Sequence, residues 1–402
     1  MSKRSIYGES SSTAHNQYGT APQDESPLPL ATSSLAQASS SSIPKIPLDL
    51  IADLILPFIA DRATWNNVYC AGKDLCLAAK NMTPPWPNTI LNLGHAVSQI
   101  VFSPSGSQLA FGINTHQPVV HIWDRWGKKA LLAGHTRRIL CLEYSSDGEY
   151  LASGSRDGSI LLWHTELFHA ASSKLSREIP TAITEQADII LPGIDEQFVT
   201  ALSFSRTDSN ILASGGSNGG IKLWNVKDQT CIHSFDPNSG TIHALFFAGG
   251  ADISCIAVAN NGSIIRLWKA EGSSYLGSEI IAVERHVSRA VFSPSGSLLA
   301  TSSYYTWTKS TVALCDLETM TKTQSVTMPR PSCFAVSQDS KQLVVGGHMG
   351  RIRLLQSDTF SIQRDLNTRG RSPNMAVAVA FDPTCRVLAF GCSRGTVELL
   401  TL

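Results

Sequence analysis

The chain has 402 residues, 43% of them apolar, and its 32 basic residues balance 32 acidic ones. That length allows one large domain with something small beside it, and a pI near 7.1 excludes the strongly basic footprint of a nucleic-acid binder. The longest apolar stretch, 48–60, carries Asp49, Asp53 and Pro57, which excludes a membrane-spanning helix there. The opening Met1-Ser2-Lys3-Arg4 has no apolar run behind it, so no secretory leader is expected. Nine cysteines without a Cys-x-x-Cys pair read as reduced thiols, which predicts a cytoplasmic or nuclear protein. Residues 1–42 are rich in Ser, with several Pro and Gln and few large apolar side chains. Such a segment cannot offset its ordering entropy, and a disordered tail is expected.

The composition changes at residue 43, and 43–83 reads as a small helical module. Leu50, Ile51, Leu54, Ile55 and Phe58 share one helical face. Pro47 falls in the first turn, where a missing N–H costs nothing, and Pro57 should end or kink the helix. Asp61 is placed to cap a second helix running to Cys70, and a third runs from Lys73 to about Lys80 before Pro84 and Pro85. This succession resembles an F-box, the helical module that docks on the Skp-type adaptor of cullin ubiquitin ligases. The resemblance implies adaptor-facing roles for Pro47, Leu50, Ile51, Leu54, Ile55 and Phe58. It departs from the family pattern at Ile46, where Leu is usual, and at Leu75, where Trp is usual. A plain helical cap on the following domain is the alternative reading.

From residue 88 to 402 one unit recurs. Its fullest copy runs from Gly134 to His164. A Gly-His pair is followed by an alternating strand at 139–144, a turn at Asp147-Gly148, a second strand from Tyr150, a turn at Asp157-Gly158, and a third strand ending in Trp163. Asp-Gly between apolar runs is a strong hairpin signal, because Gly takes positive φ and Asp tolerates it. The third-strand position is then filled by Trp123, Trp163, Trp224, Trp268, Cys315, Leu355 and Leu400, at spacings of 40, 61, 44, 47, 40 and 45 residues. Most of these match a repeat of about 40–45 residues; the 61 marks an insertion at about 166–187, a long connection after a third strand. First strands repeat nearly verbatim as Ile100-Val101-Phe102-Ser103-Pro104 and Ala290-Val291-Phe292-Ser293-Pro294.

The unit resembles a WD repeat, and seven copies imply an all-β, seven-bladed WD-repeat β-propeller. The resemblance also implies a buried polar series within the unit: His135, Ser153, Asp157 and Trp163. A catalytic dyad of His135 and Asp157 is the competing reading, but their spacing is that of a repeat's own scaffold. The last copy stops in its third strand at Leu402, while 88–93 reads as an orphan strand. Lending that strand to the last blade would close the ring and remove two open sheet edges.

The loops entering first strands and the turns between second and third strands gather basic and aromatic residues: Arg137, Arg138, Arg156, Arg285, Tyr304, Tyr305, Trp307, His348 and Arg394. Few acids accompany them. Guanidinium forks suit carboxylate and phosphate, and aromatic rings supply anchors, so this face predicts an acidic or phosphorylated peptide as partner. No Walker loop or zinc spacing is present, so neither an enzyme nor a cofactor or metal is expected. Together these features predict a substrate receptor of a Skp–cullin–F-box ubiquitin ligase. A WD-repeat scaffold of another multiprotein complex is the alternative.

Overall fold

The computed structural model describes residues 90–124, 129–165, 183–192, 197–235, 240–247, 256–259, 264–271, 274–282, 287–304, 310–319, 321–367 and 375–402. The expected tail and helical module, including Pro47, Leu50, Ile51, Leu54, Ile55 and Phe58, lie outside them. The chain divides into two units, Met1–Pro47 and Leu48–Leu402, and every described residue belongs to the second.

The described residues form seven sheets. Sheet one contains Val97–Phe102, Gln108–Ile113, Val119–Asp124 and Lys129–Ala133; sheet two contains Ile139–Tyr144, Tyr150–Ser155, Ile160–His164 and Ile189–Leu191. Sheet three contains Val199–Phe204, Ile211–Gly216, Ile221–Asn225 and Thr230–Phe235. Sheet four contains Ala244–Phe247, Ile256–Ala259, Ile264–Glu271 and Ser274–Ala282; sheet five contains Val287–Phe292, Leu298–Tyr304, Ser310–Asp316 and Thr321–Met328. Sheet six contains Pro331–Val336, Gln342–Gly347, Arg351–Gln356 and Ile362–Asn367. Sheet seven contains Ala376–Phe381, Val387–Cys392 and Thr396–Thr401, and its fourth strand is Ile90–Asn92 from the other end of the domain. The first strand of each sheet packs on the first strand of the next, and that of sheet seven packs back on sheet one. This all-β layout is consistent with a β-propeller.

Burial follows from that layout. The second strand of sheet one, Gln108–Ile113, is buried at every residue, because neighbouring sheets cover both of its faces. The outermost strand Thr321–Met328 is mostly exposed and carries Thr, Lys and Gln, which suit a free edge. Apolar clusters fill the wedges between sheets. Val97, Phe111 and Trp123 of sheet one meet Ala389 and Leu399 of sheet seven. Ile160 and Leu162 of sheet two meet Leu202 and Trp224 of sheet three. Close approach needs a missing side chain at Gly154: a Cβ there would lie 2.5 Å from Val199 Cγ1 on the next sheet. The buried thiols Cys141, Cys315, Cys333 and Cys392 act as small apolar fillers in this packing; burial pushes the Cys315 thiol up to about 11.

The seam between sheets seven and one is held by backbone. Ile90, Leu91 and Asn92 pair antiparallel with Glu398, Val397 and Thr396, and the Leu93 N–H donates to the Gly395 carbonyl at 2.8 Å. Gly395 turns there with φ +85°, and any Cβ would strike the His95 backbone.

Two features depart from the sequence reading. The expected long connection at 166–187 is not featureless at its end: Ile183–Gln186 pairs parallel with Lys129–Ala133 and adds a fifth strand to the edge of sheet one. Its partner strand lies some 50 residues away, so no local pattern announces the pairing. Second, the first strand of six sheets is bulged at the same place, between Val97/Gln99, Ile139/Cys141, Val199/Ala201, Val287/Arg289, Pro331/Cys333 and Ala376/Ala378. A bulge re-aims the residue that follows it. At the bulge, the Thr200 hydroxyl donates to the Gly215 and Ile242 carbonyls, and the Ser332 hydroxyl to the Gly346 and Ala376 carbonyls. In sheets three and six the bulge thereby stitches the first strand to its own second strand and to the next sheet.

Candidate functional site

The polar series of sheet two comes first, because it decides whether His135 and Asp157 are chemical or structural. Asp157 sits in the turn before the third strand. Its carboxylate accepts the Thr136 N–H at 2.8 Å, the Ser159 N–H at 2.9 Å, the Ser159 hydroxyl at 2.5 Å and His135 Nδ1 at 3.1 Å. Burial alone would raise its pKa; the hydrogen bonds from His135 and Ser159 overcome that and hold it well below the usual carboxylate range. An ionised carboxylate only accepts, so Nδ1 of His135 carries a proton, and Nε2 meets the Ser153 hydroxyl at 2.6 Å. Both ring nitrogens are thus occupied, and His135 is 6% exposed. The arrangement ties an entry loop to a turn and a strand, and it leaves no free base facing solvent.

The series stops at Ser153. The Trp163 side chain is buried, and its indole N–H has no hydrogen-bond partner. His135 draws the hydroxyl to its own nitrogen, and the Trp163 ring meets the imidazole edge-on, 6.3 Å away at 74°. Sheet three shows the other outcome. It lacks the histidine, and its Trp224 N–H donates to the Ser214 hydroxyl at 2.8 Å.

The basic face is assembled from separate loops. Arg137 and Arg138 lead into the first strand of sheet two, and Arg156 lies in the turn between its second and third strands; all three are exposed. The Arg156 N–H donates to the Arg138 carbonyl at 2.9 Å, which fixes the two loops together. The Arg156 guanidinium lies over the Phe198 ring, 4.7 Å from its centre, so it is anchored against sheet three. His348 is exposed in a 3-10 turn of sheet six, and Arg394 is exposed in the corresponding turn of sheet seven. Tyr304 ends the second strand of sheet five. Arg285, Tyr305 and Trp307 lie outside the described residues.

Behind this face runs a channel of about 580 Å³, walled by the first strands of all seven sheets. The wall is mostly apolar or small, and its acidic and basic side chains are five: Glu143, Arg206, His243, Arg289 and Asp382. Burial in the wall pushes the Glu143 carboxyl up to about 7, against the pull of Arg206. Arg206 lies over the Phe246 ring at 4.9 Å. The sequence reading missed Arg289. It follows the sheet-five bulge, at the position that other sheets fill with Gln99, Cys141, Ala201, Cys333 and Ala378. Superposing the first strands residue by residue exposes it as the one arginine among those positions.

Arg289 links the wall to the face. Arg138 is held below its usual basicity by burial, then by Arg289 and Arg156. Burial, then Arg289, holds His243 down at about 4. Among the described residues, no group of three His, Cys, Asp or Glu side chains could hold a metal ion, and no helix is long and apolar enough to cross a membrane.

Comparison with known proteins adds to this geometry. The profile of the WD domain, G-beta repeat family matches residues 127–164 and 190–225. Each match begins on the outer strand of one sheet and runs through three strands of the next, as 129–133 into sheet two and 190–191 into sheet three. Among curated proteins, the chain is 24% identical over 222 residues to the target of rapamycin complex subunit wat1 of Schizosaccharomyces pombe, covering 54% of this chain and 64% of that one. It is 24% identical over 282 residues to the periodic tryptophan protein 2 homolog of Dictyostelium discoideum, covering 66% of this chain and 27% of that one. It is 26% identical over 226 residues to the APC/C activator protein CDC20 of Saccharomyces cerevisiae, covering 54% and 31%. The chain thus spans less than two thirds of the length of each of these relatives. A solved structure, that of U3-55K, superposes with a TM-score of 0.63 at 18% identity, covering 78% of this chain and 98% of that one, and shows likeness of fold alone. The profile and the relatives support the WD-repeat family.

Proposed function

We propose that the chain is a non-enzymatic protein-interaction scaffold, a seven-bladed WD-repeat propeller at 88–402 behind a tail at 1–42 and an F-box-like module at 43–83. Its loop face takes an acidic or phosphorylated partner. The observation that carries this reading is the joined pair of loops bearing Arg137, Arg138 and Arg156, with Arg156 braced on Phe198. Arginines held in place lose less entropy on binding, and their forks pair two oxygens at once. The helices at 43–83 hold a Skp-type adaptor, with Pro47, Leu50, Ile51, Leu54, Ile55 and Phe58 facing it, and the whole acts as substrate receptor of a cullin ubiquitin ligase.

A second reading drops the adaptor and keeps the scaffold. It is favoured by the names of the relatives, a complex subunit and a complex activator. Co-purification decides between the two: the full chain retains a Skp-type adaptor, and a Leu50→Asp, Leu54→Asp variant releases it. No retention by the full chain removes the ligase reading. The face itself is tested with an acidic peptide and its phosphorylated form. Changing Arg137, Arg138 and Arg156 to Glu should weaken binding by about a hundredfold; unaltered affinity ends the acidic-partner reading.

A further inference from the structure

The insertion near 166–187 ends in a segment that behaves unlike the rest of the domain. Ile183–Gln186 pairs with the outer strand of sheet one, Ile183 with Ala130, Thr184 with Leu131, Glu185 with Leu132 and Gln186 with Ala133. Among the described strands this is the one parallel pair, and it makes sheet one the one sheet of five strands. The edge beneath it calls for a cover. Lys129-Ala130-Leu131-Leu132-Ala133 has one polar residue in five. Thr321–Met328, which ends sheet five, has six in eight. An apolar edge left bare invites pairing with another chain.

The two halves of the segment are held unequally. Residues 188–191 are anchored on sheet two, where Ile189, Ile190 and Leu191 pair antiparallel with Leu162, Leu161 and Ile160. The Asp188 N–H donates to the Leu162 carbonyl at 3.0 Å, and the Asp188 carboxylate accepts the His164 N–H at 2.7 Å. Leu191 is buried in one cluster with Ile160, Leu162 and Leu202. Residues 183–186 have four residues of parallel ladder, the weaker kind per residue, and no described strand pairs with their far side. They can leave sheet one with Asp188 as the hinge while sheet two stays intact.

We propose that the outer edge of sheet one is a strand-addition site for an extended peptide of a partner protein, and that the chain's own 183–186 occupies it until that peptide displaces it. The ligand runs parallel to Lys129–Ala133 and is held by its main chain, so the site takes an extended stretch of about four or more residues without proline. Displacement exchanges one set of main-chain hydrogen bonds for another, so a partner wins with a longer or more β-branched run. The edge lies at the other side of sheet one from the strand that walls the channel, and the proposal depends on neither the loop face nor the adaptor.

The test uses the full chain carrying Thr184→Pro and Glu185→Pro. Successive N–H groups of a strand point to opposite sides, so one of the two prolines removes a ladder donor. Amide exchange should quicken about tenfold or more at those residues of Lys129–Ala133 that bond to 183–186, and stay slow at those that bond to Val119–Asp124. The probe is a labelled peptide of the 182–188 sequence, Ala-Ile-Thr-Glu-Gln-Ala-Asp. It should bind the variant roughly tenfold or more tighter than the unaltered chain, and restore slow exchange. If circular dichroism shows that the prolines disturb the rest of the domain, Thr184→Gly with Glu185→Gly takes their place, since it keeps every N–H and weakens the strand through backbone entropy. Equal exchange at 129–133 in variant and unaltered chain, no binding of the peptide to the variant, or equal binding to both overturns the proposal. A variant that sediments as a dimer gives the edge to a second copy of this chain, and overturns it too.

Discussion

Sheets two and three are neighbours cut from one pattern, and they settle their buried polar groups in different ways. Sheet two spends a histidine and an aspartate to tie loop, turn and strand together, and leaves the Trp163 N–H unpaired. Sheet three has no histidine in the loop entering its first strand, carries Asn218 in the turn, and pairs the Trp224 N–H directly with Ser214. Both sheets pack against each other through one apolar cluster. The polar series is therefore an accessory of the blade and not its foundation. Apolar wedging between sheets supplies the common ground, and polar residues vary on top of it.

The largest contrast is expected at the turn residue. Asp157→Ala strips acceptors from Thr136, His135 and Ser159 at once, and should cost roughly 3 kcal/mol in chemical denaturation. Asn218→Ala removes one acceptor, for the Gly220 N–H, and should cost about 1 kcal/mol. Equal costs would mean that the sheet-two network is not a unit. The tryptophans give the next contrast, in the opposite sense. Trp224→Phe strands the Ser214 hydroxyl and should cost about 2 kcal/mol, whereas Trp163→Phe loses no hydrogen bond and should cost about 1 kcal/mol through volume alone. The smallest effect is one of pH. The folded pKa of Asp157 lies below its unfolded one, so the stability it brings is complete above about pH 4 and is lost as pH falls further. An Asp157→Asn variant should therefore lie closest to wild type in melting temperature at acid pH and farthest from it at neutral pH. A difference that stayed constant with pH would deny Asp157 its charge.

Much of this contrast could be read from the chain alone. Gly134-His135, Ser153, Asp157-Gly158 and Trp163 stand at repeat spacing, and Ser214, Asn218 and Trp224 stand in the same frame without the histidine. The third-strand positions Trp123, Trp163, Trp224, Leu355 and Leu400 kept their period because each packs into an apolar cluster of the sheets. What the sequence hid were matters of pairing partner and register. A bulge is one extra residue opposite a distant strand, and nothing local at Ser288-Arg289 announces it. The parallel strand at 183–186 depends on an edge some 50 residues earlier. Arg289 was overlooked for the same reason: it lies inside a strand, and only the bulge and the channel make it part of the face. Trp163 was given a bond because its residue type needs one, but geometry gave the hydroxyl to His135.

The central claim is that one repeated unit closes on itself through the strand at 90–92. The direct measurement is amide hydrogen exchange and thermal melting of a chain that lacks residues 1–93. Removing the partner of Thr396, Val397 and Glu398 should speed exchange along Thr396–Thr401 and lower the melting temperature by about 4 °C or more. Unchanged protection in that strand, with an unchanged melting temperature, would contradict the account.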